Sequence, residues 1–140
     1  MQIKQEARHE QAARTEETTA RPMVTHDIDF SEILDVELLQ GQCNAIAEAN
    51  RNRPDVLRND LLAVLKKASV EGRRKARELL DAQGGGLDCA HRISWLQDQI
   101  IAVLYNFAIE HVFPKQKDKF AVTAVGGYGR DTLAPGSDID

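Results

Sequence analysis

Between residues 29 and 112, apolar side chains recur every three to four positions, the spacing that lines them along one face of an α-helix. The first set is Ile33, Val36, Leu39, Cys43 and Ile46. Asp29, with Glu32 three residues on, resembles a capping box, so a first helix is expected to run from there to about Asn50. The polar run Asn50-Arg51-Asn52-Arg53 reads as a loop, and Pro54 suits the first turn of a second helix, where its absent N–H has no acceptor to lose. That helix carries the stripe Leu57, Leu61, Val64, Leu65, Ala68, Ala76, Leu79 and Leu80. Gly72 interrupts it at about 1 kcal/mol relative to alanine, unless close helix packing requires the small residue. Gly84-Gly85-Gly86 ends it. Asp88 is expected to cap a third helix with the stripe Ile93, Leu96, Ile100, Val103 and Phe107, widened by Leu104; Trp95 lies off the stripe and reads as packing against a neighbouring surface.

The pattern then changes. Pro114 forbids continuation of the helix, and Lys115-Gln116-Lys117-Asp118-Lys119 reads as an exposed connector. Phe120 to Val125 is apolar and β-branched on both parities, which predicts a strand covered on both faces. A Gly126-Gly127 turn follows, and Ser137-Asp138-Ile139-Asp140 reads as the opening of another strand. The expected fold class is therefore α/β. A mainly helical region at 29–113 precedes the first strands of a catalytic domain at 119–140. Residues 1–28, rich in Gln, Glu, Arg and Thr, are expected to form a disordered or weakly helical tail because they bury too little apolar surface to offset ordering.

Composition narrows the partners. A 42% hydrophobic, 29% charged chain suits a soluble globular protein, and a net charge of −4 argues against a phosphate-backbone binder. The basic run Arg73-Arg74-Lys75-Ala76-Arg77 reads as a solvated helix face. Cys43 and Cys89 lie far apart without zinc-ligand spacing, and are expected as reduced, buried thiols. The N-terminus has no secretory h-region and no apolar run is long enough for a membrane span, so no membrane partner and a cytoplasmic location are expected.

The chemistry concentrates after Val125. A P-loop is excluded because no Gly-Lys pair occurs, and Gly127-Tyr128-Gly129-Arg130-Asp131-Thr132 departs from the dinucleotide fingerprint by ending in threonine. The remaining pattern is strand, Gly-Gly, short turn and Ser-Asp-x-Asp. Glycines let backbone N–H groups approach a phosphate closely. On a strand, Asp138 and Asp140 project from one face, where paired carboxylates suit Mg²⁺ bridging substrate phosphates. Ser137 is placed to donate to a phosphate or to cap the turn.

Val125-Gly126-Gly127, with residues 128 to 137 separating it from Asp138-Ile139-Asp140, resembles the signature of nucleotidyltransferases of the DNA-polymerase-β type. Within that superfamily, Gly126-Gly127-Tyr128-Gly129-Arg130 and Leu133-Ala134-Pro135-Gly136-Ser137-Asp138-Ile139-Asp140 resemble the bacterial PII uridylyltransferases. The close likeness spans about twenty residues, and a looser one covers 30–140. The resemblance implies an incomplete α+β nucleotidyltransferase fold. It also implies transfer of UMP from UTP to a tyrosine of the PII nitrogen-regulatory protein, with release of pyrophosphate, and glutamine as effector of the reverse removal. Asp138 and Asp140 match the catalytic, Mg²⁺-binding carboxylates. Gly126 and Gly127 match the glycines that hold the triphosphate, and Arg130 and Ser137 lie inside the motif as nucleotide contacts. An ion pair of Arg130 with Asp131 or Asp138 is an equal alternative. Arg130-Asp131-Thr132 departs from the Arg-Gly-Glu associated with this position. The family's third carboxylate, its phosphohydrolase domain and its ligand-sensing domains have no counterpart, so the chain is expected to be an amino-terminal fragment inactive in transfer. The rival readings are a glutamine-synthetase adenylyltransferase using ATP and a non-catalytic helical interaction module.

Overall fold

The computed structural model of the chain describes residues 28–115 and 121–137. The expected tail falls outside the described residues except for its last member, Ile28, and so do Phe120, Asp138, Ile139 and Asp140.

Helix α1 spans Val36–Ala49. Its cap is Asp35, whose carboxylate accepts the Leu38 N–H at 2.9 Å, and not Asp29. Asp29 instead accepts the Ser31 N–H at 2.8 Å and closes a separate turn ahead of the helix. Asp and Asn caps work only immediately before the first helical residue, and Asp35 holds that place. The preceding turn still drops Ile33 into the core, 1% exposed. At the other end the buried Asn50 joins two helices. Its side-chain amide donates to the Ile46 carbonyl at 3.1 Å and to Asp60 at 3.3 Å, and its oxygen accepts from Arg53 at 2.9 Å.

Helix α2, Pro54–Gln83, begins on the proline and runs 30 residues, a length of about 45 Å. Its basic run is half-buried or exposed apart from Ala76. Arg74 lies between Glu71, at 2.5 Å, and Glu78, an exposed ladder of the kind that adds little to stability. Gly84 and Gly85 adopt φ of 72° and 83°, the left-handed region that favours glycine, and they stop the helix.

Helix α3 spans Gly86–Phe107 and takes Gly85, not Asp88, as its cap residue. Asp88 falls inside the first turn, where a negative charge still suits the helix dipole. A π-helical turn at Ala108–Val112 follows and closes with the Phe113 N–H donating to the Ala108 carbonyl at 2.8 Å. Pro114 comes next.

The three helices enclose one core. Ile93, Leu96, Ile100, Val103 and Phe107 are all buried on α3, against Leu39, Cys43 and Ala47 of α1 and Leu65 and Ala76 of α2. Leu104 does not widen that stripe, being 42% exposed. Gly72 has its packing reason. A Cβ added there would stand 2.6 Å from Leu96 Cδ1, so the glycine lets α2 and α3 close on each other. Trp95 stacks on Phe30 at a centroid distance of 5.1 Å, covering the chain ahead of α1. Cys43 and Cys89 are free and fully buried, and burial pushes both thiols up from their ordinary pKa.

The α/β expectation is overturned. The described residues contain helices and turns and no strand. Residues 121–125 are unpaired and solvent-exposed, with Val122 at 65% and Val125 at 56%. β-Branched residues favour a strand only where a ladder and a covering face exist, and the described residues offer neither to this segment. No helix among the described residues is long and apolar enough to cross a membrane.

Candidate functional site

The glycine segment follows those unpaired residues. A single helical turn, α4, spans Gly126–Gly129. Gly126 has φ of 66°, so only glycine takes this entry without strain. A Cβ on Gly129 would stand 2.6 Å from the Ala124 carbonyl oxygen, so this position must also stay bare. Gly127 differs from both. A Cβ there would meet the Thr132 carbonyl oxygen at an ordinary 3.6 Å, so the fold leaves room for alanine. Its own carbonyl points into the turn, accepting the Arg130 N–H at 3.2 Å, the Thr132 N–H at 3.0 Å and the Thr132 hydroxyl at 3.3 Å.

Asp131 completes the turn at φ of 58°, the only left-handed non-glycine among the described residues. Aspartate tolerates that conformation better than most residues do. The departure from the glycine that the family likeness leads one to expect here is thus accommodated by the backbone. Downstream, the Ser137 N–H donates to the Ala134 carbonyl at 3.0 Å across Pro135 and Gly136, and Gly136 has φ of 87°. Proline then glycine at the central positions is the type II turn pattern.

Three polar residues of α3 fasten this segment to the bundle. The Tyr128 hydroxyl donates to Asp98 at 2.5 Å, and its ring is buried. The Leu133 N–H donates to the Ser94 hydroxyl at 3.0 Å, beneath a Leu133 side chain that is 2% exposed. His91 Nδ1 lies 2.8 Å from the Asp131 carboxylate. Burial, then the facing Asp98 carboxylate, pushes the Tyr128 phenol well above its ordinary pKa, so it stays a hydrogen-bond donor.

Three of the nucleotide-contact candidates lie in the first turn and the fourth, Ser137, lies in the second. Gly126 and Arg130 are exposed, Gly127 is half-buried, and Ser137 is exposed beyond the second turn. Of the alternative ion pairs for Arg130, the one with Asp131 is not formed, the Asp131 carboxylate lying against His91, and the one with Asp138 lies outside the described residues; among the described residues the Arg130 guanidinium has no carboxylate partner. Asp138 and Asp140, expected to hold Mg²⁺, lie outside the described residues. Among the described residues no group of three or more His, Cys, Asp or Glu is close enough to hold a metal.

The residues that sequence reasoning passed over are His91, Ser94 and Asp98. Their signal was present in the sequence as polar side chains at i, i+3 and i+7 on a largely apolar helix, one stripe by helical spacing. No family model matches the chain, and no solved structure matches it.

Proposed function

We propose that this chain carries the nucleotide-holding turn of a Mg²⁺-dependent uridylyltransferase, which transfers UMP from UTP to a tyrosine of the PII signal protein and releases pyrophosphate. The observation that supports it best is the turn 126–130. Its backbone is fixed by Gly126, Gly129 and the buried Tyr128, while Gly127 is bare with no packing reason and Arg130 projects without a carboxylate partner among the described residues. A glycine that the fold does not need is a place where another group can approach the main chain. A guanidinium beside it is suited to phosphate oxygens.

On this reading Gly126 and Gly127 receive the triphosphate, and Arg130 and Ser137 contact its oxygens. Asp138 and Asp140 hold Mg²⁺, which when bound offsets the charge of the phosphates. Glutamine is the effector of the reverse removal.

Equilibrium titration of the chain with UTP and with ATP, each with Mg²⁺, tests the proposal. UTP binding that weakens about tenfold in Arg130→Ala, by loss of a charge-assisted hydrogen bond, and weakens in Gly127→Val is the expected result. Tighter binding of ATP than UTP would favour an adenylyltransferase. Binding of neither nucleotide would overturn the proposal.

A helical interaction module is the second reading. It is favoured by an open groove between α1 and α2, where Leu38 stands 59% exposed beside Leu34, Val64 and Ala68. Retention of a protein partner by the chain after Leu38→Glu would argue against that groove.

A further inference from the structure

The three α3 contacts to the glycine segment differ in kind. Ser94 is 1% exposed, and its hydroxyl meets a backbone amide. Tyr128 is a buried ring whose hydroxyl reaches an exposed carboxylate. The His91–Asp131 contact is outermost, with the aspartate side chain 62% exposed. The contacts grip the segment at three successive points, 128, 131 and 133, and none uses Gly126, Gly127 or Arg130. They hold the turn from the α3 side, and Gly126, Gly129 and Arg130 stay exposed.

We infer that the stripe His91, Ser94 and Asp98 is a positioning device for the nucleotide-holding turn, setting where the 126–130 backbone and Arg130 stand without touching the nucleotide. The inference rests on the functional reading above and deepens it. Ser94 fixes the height of the segment on α3, because a backbone amide at 3.0 Å from a helix-borne hydroxyl has little freedom to slide. Asp98 fixes the roll of α4, because Tyr128 is the one residue of that turn with its side chain in the core cluster. His91 holds Asp131 over α3 at the exit from the turn, where the backbone takes its left-handed step. Positioning residues of this sort act on affinity through geometry that is paid in advance of binding.

The test pairs two measurements on the full chain: equilibrium affinity for UTP with Mg²⁺, and hydrogen exchange of the 126–134 segment. Asp98→Ala and Ser94→Ala are each expected to speed exchange in 126–134 and to weaken UTP binding about tenfold, the size of one lost hydrogen bond. Exchange in α1 and α2 should stay unchanged. Asp98→Asn keeps an acceptor for the Tyr128 hydroxyl and is expected to restore most of the affinity. Asp98→Ala combined with Tyr128→Phe should be no weaker than either alone. Should Ser94→Ala disrupt the core, the exposed Asp98 variants carry the test. Wild-type binding that persists at full strength in the Asp98→Ala variant would overturn the inference and leave the functional reading standing. Wild-type chain that binds no nucleotide would overturn the functional reading and the inference with it.

Discussion

Helices α1–α3 bury side chains against one another along stripes that repeat at helical spacing, whereas residues 121–137 reach the bundle with only Tyr128 and Leu133 buried. In the first region no single contact decides the arrangement, since about a dozen apolar residues share it. In the second, placement rests on a phenol, a serine hydroxyl and an imidazole. The difference predicts two classes of response. Damage to the bundle lowers the stability of everything, and damage to a tether releases one segment while the helices remain protected.

Phe107→Ala should break the comparison from the bundle side. The ring is 1% exposed, and its removal is expected to lower global stability by about 4 kcal/mol, read as a drop in urea midpoint common to all probes. Gly72→Val comes next. Its branched side chain would run into Leu96, and overpacking of this kind costs about 3 kcal/mol; an unchanged midpoint would show that α2 and α3 are not seated on each other there.

Tyr128→Phe probes the other region. Asp98 is exposed and returns to water, so a loss of about 1 kcal/mol is expected, seen as faster exchange in 126–134 with the global midpoint nearly unmoved. The same contact has a pH signature. The Tyr128 phenol is raised above its unfolded value of about 10, so its contribution is complete below that pH and is lost as pH climbs through the higher folded value. Absorbance titration should show Tyr128 ionising later than free tyrosine, the step being assigned by comparison with Tyr128→Phe.

The smallest expected effect is that of Asp131→Gly. It relieves a left-handed residue but loosens the unfolded chain and removes the His91 partner, for a net change of about 0.5 kcal/mol in either direction. Its diagnostic is local: the exchange rate of the 130–133 amides should rise even where global stability does not fall.

How much of this was legible in the sequence follows the same division. The α3 stripe, the proline start of α2 and the glycine stop after Gln83 could all be read, because periodicity and backbone chemistry are properties of the residues themselves. Gly72 could be read as conditional, and Leu96 supplied the condition. Asp29 reads as a cap because its spacing to Glu32 mimics a capping box, while Asp35 stands at the true boundary. Residues 121–125 form no strand because β-propensity describes what a residue tolerates in a ladder, and a ladder is supplied by other parts of a chain. In the site, the bare glycines were legible as a turn, but their separate reasons were not. A positive φ at 126 and a carbonyl against 129 are facts of the folded backbone. The tethers crossed 30 to 40 positions of sequence and left only a faint periodic trace in His91, Ser94 and Asp98.

Leu96, seated against Gly72, belongs to the same rigid rod as Ser94 and Asp98. The rod turns as one piece, so the tooth that engages α2 also sets the angular phase of the face that carries the glycine segment. A roll of α3 by about 10° would sweep points about 5–6 Å from its axis through about 1 Å. Misalignment on that scale can change a rate about a hundredfold where reacting groups must be aligned. A residue change at position 72, on α2 and far along the chain from the turn, would then act as a gear tooth cut to the wrong depth.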